Sequence, residues 1–123
     1  AFKGTTIRVN ASRNVTAALA TGIFEEMTEV PANASFATDT ETTFAIPTGS
    51  GSGWYNYNSA TFTVTPIPGR VIFVKTTEGN YVKIEILSYY KGNPPVEQIN
   101  PMTTPSAHYT FQFVLQPNGT TRF

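Results

Sequence analysis

Between Arg70 and Tyr90 the side chains alternate in a way that only a β-hairpin satisfies. Arg70 to Thr77 (RVIFVKTT) is a run of β-branched and aromatic residues. Glu78-Gly79-Asn80 supplies a turn. Tyr81 to Tyr90 (YVKIEILSYY) then places Val82, Ile84 and Ile86 on one side and Lys83 and Glu85 on the other. Period-two patterning around a short glycine-containing turn reads as two antiparallel strands. The first of them is apolar on both sides at Val71, Ile72, Phe73 and Val74, which requires cover on both faces. Pro66 and Pro68 bound the hairpin upstream, because proline cannot donate to a ladder.

The rest of the chain extends this pattern. A loop rich in glycine, asparagine and proline runs from Gly92 to Ser106. After it, His108 to Leu115 (HYTFQFVL) sets Tyr109, Phe111, Phe113 and Leu115 together. Pro117-Asn118-Gly119 is a turn signal, from which Thr120 to Phe123 can return as a short last strand. Upstream, Ala1 to Val9 reads as a strand and Ala60 to Val64 as another. Thr16 to Ala20 is compatible with one helical turn. Gly49-Ser50-Gly51-Ser52-Gly53 is a flexible loop tip, too short to link domains. The 123 residues therefore predict a single mostly β domain over 1–123. Its antiparallel strands form a meander or sandwich-like arrangement with little helix.

Composition narrows the chemistry. Eight basic and eight acidic side chains cancel, so the basic excess that nucleic acids or a polybasic membrane patch demand is missing. With no cysteine, thiolate metal sites, disulfides and thiol nucleophiles are excluded. No apolar run approaches a membrane span. Low charge with abundant threonine, asparagine and tyrosine fits the surface of an exported β-protein. The single histidine, His108, stands at a strand entry with no acid nearby in sequence, which reads as a polar strand residue and not as a general base. Glu25, Glu26 and Glu29 make an acidic patch that reads as solvated. A non-enzyme is the expectation.

Recognition by aromatic and soft side chains is what remains. Trp54, Tyr55 and Tyr57 adjoin the flexible loop and offer rigid rings for a flat ligand; packing into the sheet is the alternative. A thioether can ligate haem iron axially, and Met27 and Met102 are the two methionines.

An ordered set of tracts carries a resemblance. It comprises Ala1-Phe2-Lys3-Gly4, Gly53-Trp54-Tyr55-Asn56-Tyr57, Pro66-Ile67-Pro68-Gly69-Arg70-Val71 and Glu78-Gly79-Asn80-Tyr81-Val82-Lys83. Leu87-Ser88-Tyr89-Tyr90-Lys91, Tyr109-Thr110-Phe111 and Gln116-Pro117-Asn118-Gly119-Thr120 complete it. Together these resemble the HmuY family of haem-binding lipoproteins from Bacteroidetes. The resemblance implies a β-rich protein held at the outer-membrane surface by a lipid anchor, or released from it. Such a protein captures haem for a TonB-dependent receptor, and the present residues would be the C-terminal part of a longer precursor. It also implies two axial ligands, both histidine in one branch and both methionine in another. Met27 matches the first position, with Met102 a weaker candidate outside the matching loops. Trp54, at the second, cannot coordinate iron. Two expectations follow: a haem-capturing surface protein, and a non-catalytic surface β-module that binds a protein or carbohydrate without haem.

Overall fold

A computed structural model describes residues 1–123. The chain is mostly β and antiparallel, as the patterning requires. Eight strands occur: β1 (Phe2–Lys3), β2 (Thr6–Ile7), β3 (Thr16–Thr21), β4 (Tyr55–Asn58), β5 (Thr63–Pro66), β6 (Arg70–Lys75), β7 (Tyr81–Tyr90) and β8 (Ser106–Gln116). Short 3-10 turns at Ala11–Arg13 and Val96–Gln98 are the only helical elements. No helix is long and apolar enough to cross a membrane.

The main sheet has the order β3-β6-β7-β8, with every neighbouring pair antiparallel. β6, β7 and β8 form the expected meander. β6 lies between β3 and β7, which explains its two apolar sides. Ala17, Leu19, Ile72, Val74, Val82, Ile84, Phe113 and Leu115 share one face by register, while Ala18, Val71, Phe73, Lys83 and Val114 share the other. Two hairpins, β1-β2 and β4-β5, stand apart from this sheet.

Several local expectations are corrected. Thr16 to Ala20 is strand and not a helical turn: Ala17 to Ala20 pair with Val74 to Val71, and a whole strand's pairing outweighs the helix preference of so few alanines. Ala1 to Val9 is not one strand but a tight hairpin, because Gly4 adopts a left-handed φ of 55° and reverses the chain. The strand expected at Ala60 to Val64 begins only at Thr63, and Asn58 caps the preceding turn through the N–H groups of Ala60 and Thr61. Thr120 to Phe123 reaches only an isolated bridge between Glu29 and Arg122.

The two faces are covered differently. The face bearing Val71 and Phe73 is closed by Phe24, Val30, Met27, Phe36 and Phe123. Backbone bonds from Val30 to Thr121 and from Phe123 to Thr28, each 2.8 Å, tie that cover together. Lys83 secures it to the sheet. Although the alternation places this lysine on a polar side, it is only 4% exposed. Its Nζ donates to the carbonyls of Phe24 (2.6 Å) and Met27 (3.0 Å) and lies 4.4 Å from the centre of the Phe24 ring. The opposite face is covered by Ile7, Ile46, Trp54 and Val64, which pack with Tyr89 and Tyr90 at the end of β7. That cover leaves the β8 margin bare, with Phe111, Phe113 and Leu115 exposed.

Candidate functional site

Trp54, the residue that carries most weight in the sequence reading, is 2% exposed. Its ring packs against Tyr55, Tyr89 and Tyr109 at centroid distances of 5.1, 6.1 and 5.3 Å. Its Nε1–H donates to the carbonyl of Thr5 at 2.8 Å, so the polar edge is satisfied inside the protein. The indole is a core residue and not a surface platform. Gly53 explains how it is drawn in: a Cβ there would fall 2.1 Å from the Pro47 carbonyl, an approach only glycine permits. Tyr55 is half-buried, and its hydroxyl accepts a long hydrogen bond from Thr5. Tyr57 is exposed on β4.

The sulfur atoms lie elsewhere. Met27 packs into the cover of the closed face, with its Sδ set against Gly22. Trp54 belongs to the core on the other side of the sheet. Met102 is 89% exposed in the loop before β8. None of the five cavities is lined by Trp54, Tyr55, Tyr57, Met27 or Met102. These residues do not fit a haem site: the sheet separates the indole from the Met27 thioether, and no shared slot contains either.

His108 is exposed, its Nδ1 2.7 Å from the Ser106 carbonyl. Glu25 accepts from Gln112, and Glu29 accepts from Thr121. No cluster of three or more His, Cys, Asp or Glu side chains is placed to hold a metal ion.

The structure does form an apolar cavity that sequence reasoning missed. It measures about 280 Å³, and its floor is the open face of the sheet at Ala17, Ile72, Val74 and Ile84. Ile7, Val9 and Ile46 wall it, Phe2 stands at its edge, and Arg8 and Asn10 are its only polar side chains. No motif announces it, because five separate stretches of the chain supply the lining. The one available signal was the two-sided apolarity of β6.

Polar anchors hold the walls. Asp39 is buried and accepts from Arg8 Nε (2.7 Å), the Val9 N–H (3.1 Å) and the Ala45 N–H (2.9 Å). Burial alone would raise its pKa, but the bonds from Ala45, Arg8 and Val9 outweigh burial and hold the carboxyl below its ordinary range. This fixes Val9 to the segment carrying Ile46. The Arg8 guanidinium also lies 4.1 Å from the centre of the Phe44 ring. On the opposite side, Tyr109 Oη donates to Gly4 at 2.6 Å and helps hold the β1-β2 hairpin. Burial, then the neighbouring phenols of Tyr89 and Tyr55, push the Tyr109 hydroxyl well above its usual pKa, so it stays a donor.

The cavity continues onto β8. The Phe2 ring lies 4.5 Å from Tyr109 and 5.9 Å from Phe111, and Ile84 on the floor pairs with Phe113. A mostly apolar, pre-formed hollow running into an exposed aromatic row can seat apolar side chains of a ligand. It supplies no nucleophile, acid–base pair or iron ligand. No protein-family profile matches the chain, and no curated protein matches it.

Proposed function

We propose that this chain is a non-catalytic binding module that takes an apolar segment of a partner protein on the open face of its main sheet. One observation carries the reading: the cavity floored by Ile72, Val74 and Ile84 leads without interruption to the exposed side chains of Phe113 and Leu115. Contiguous apolar surface around a preformed pocket is where soluble proteins place binding sites. Arg8 and Asn10 at the mouth would orient a backbone carbonyl or carboxylate of the ligand.

Selection from a displayed random-peptide library tests this, using the wild type and a Val9→Thr/Val74→Thr variant that keeps the cavity's shape while adding hydroxyls. Peptides with spaced apolar anchors should be enriched on the wild type and bind the variant at least about tenfold more weakly. No enrichment, or enrichment indifferent to both changes, would overturn the reading.

Haem capture for a TonB-dependent receptor, from a lipid-anchored position on the outer membrane, rests on the HmuY resemblance alone. A haemin titration decides it. A Soret shift that disappears in Met27→Ala would establish that reading, whereas no shift in the wild type would end it.

A further inference from the structure

We propose that the outer edge of β8 pairs antiparallel with the β8 edge of a second copy of this chain, joining two main sheets into one. This goes beyond the binding reading, since it rests on the unpaired backbone edge of β8, although Phe113 and Leu115 belong to both surfaces.

The two margins of the main sheet are treated differently. The outer edge of β3 is guarded: Ala17 and Ala37 exchange backbone hydrogen bonds of 2.8 and 2.9 Å across it. The outer edge of β8 has no partner strand. Proteins usually blunt such an edge with lysine, proline, a bulge or a covering segment. From Ser106 to Gln116 there is no charged side chain, proline or glycine. Irregularity is confined to the start of the strand, where the register shifts and Ala107 adopts a φ of 58°. From Phe111 to Gln116 the ladder with β7 is regular. A short uncharged, β-prone segment of this kind is a template for strand addition.

The segment is also complementary to itself. Gln112-Phe113-Val114-Leu115-Gln116 reads polar, three apolar, polar in either direction. Antiparallel placement about Val114 sets Gln112 opposite the second copy's Gln116, and Phe113 opposite its Leu115. Side-chain period two keeps Phe111, Phe113 and Leu115 of both copies on one face. No like charges meet in this pairing, and a chain of formal charge zero adds no long-range repulsion. A two-fold contact needs only this one patch, used twice.

Phe2, Phe111, Phe113 and Leu115 are each roughly half exposed. At ~200 Å² for a whole aromatic side chain they offer about 400 Å² of apolar surface. A standard stable interface takes about 800 Å² from each partner. Edge pairing buries the backbone edge and only the flanks of these side chains, well below that area, which fits a reversible dimer that dissociates on dilution.

Sedimentation velocity across roughly 1–500 µM, bracketing the affinities of small interfaces, tests this directly. The wild type should pass from a 13.4 kDa monomer to twice that mass. Phe113→Lys and Phe113→Glu should each stay monomeric with an unchanged circular-dichroism melt, since Phe113 is 61% exposed. An equimolar mixture of the two should recover the dimer. Because the chain has no cysteine, Val114→Cys, at the one position that faces itself in this register, supplies a single thiol that should crosslink to its copy on mild oxidation. A wild type monomeric throughout, or a dimer that persists in both charge variants, would overturn the proposal. So would an edge change that leaves the mass unaltered while abolishing peptide capture, which would assign β8 to a different partner.

Discussion

The two faces of the main sheet are built from the same strands, read at alternate positions, and they end differently. The face of Val71 and Phe73 is closed by segments that contain little regular structure. The face of Ile72 and Val74 is just as apolar, but its cover stops at Phe2 and leaves a cavity and the β8 margin bare. Apolar content therefore does not decide which face is finished. Polar anchors do. On the closed side Lys83 points from the sheet into the cover and binds the carbonyls of Phe24 and Met27. On the open side, Trp54, Tyr109 and Asp39 fix the hairpin and the cavity wall, and no corresponding anchor extends over Phe113.

The largest expected effect comes from removing the anchor that is also core. Trp54→Ala should cost about 3–5 kcal/mol in chemical denaturation, the usual loss for a buried aromatic. A loss below ~1 kcal/mol, the range of surface changes, would mean the indole is not enclosed. Lys83→Met keeps the stem while deleting both hydrogen bonds, and should cost about 1–3 kcal/mol after the relief of burying a charge is counted. Faster amide exchange in residues 22–30 than in β1-β2 would show that the loss falls on the closed side, as the comparison requires.

Asp39→Asn should destabilise by about 1–2 kcal/mol, since the amide keeps the shape but not the charge-assisted bonds. The pH dependence follows from the lowered pKa. The folded carboxyl ionises below the ordinary value of 3.8, so its stabilisation is present above about pH 4 and is lost as pH falls through the folded value. Melting temperature against pH should consequently be flatter on the acid side in the variant. The smallest effect is predicted at β8. Phe113→Ser should change stability by less than ~0.5 kcal/mol, because the ring packs against little within its own chain.

Much of the fold was legible because strands announce themselves through period two. The hairpin of β6 and β7 and the alternation of β8 follow from that pattern alone. β3 was not legible, since Thr-Ala-Ala-Leu-Ala-Thr is short and suits either state; pairing with β6, some fifty residues later in the chain, decides it. The site was harder. A tryptophan beside a glycine-rich loop looks exposed, yet the glycine that suggests flexibility is the one that lets the backbone press against Pro47 and carry the indole inward. Lys83 misled in the same way: alternation reports which side of a strand a residue occupies, not whether a loop will later cover that side. The cavity combines Ile7, Ile46, Val74 and Ile84, whose proximity is a property of topology and of no local motif.

Hydroxyl-radical footprinting of the dilute protein, read residue by residue by mass spectrometry, tests the contrast between the faces most directly. Phe113, Leu115 and Phe2 should oxidise readily, while Trp54, Phe73 and Phe24 should be protected despite their comparable or greater intrinsic reactivity. Ready oxidation of Trp54 together with protection of Phe113 would contradict the account, because it would place the open apolar surface at the indole and not on the β8 side of the sheet.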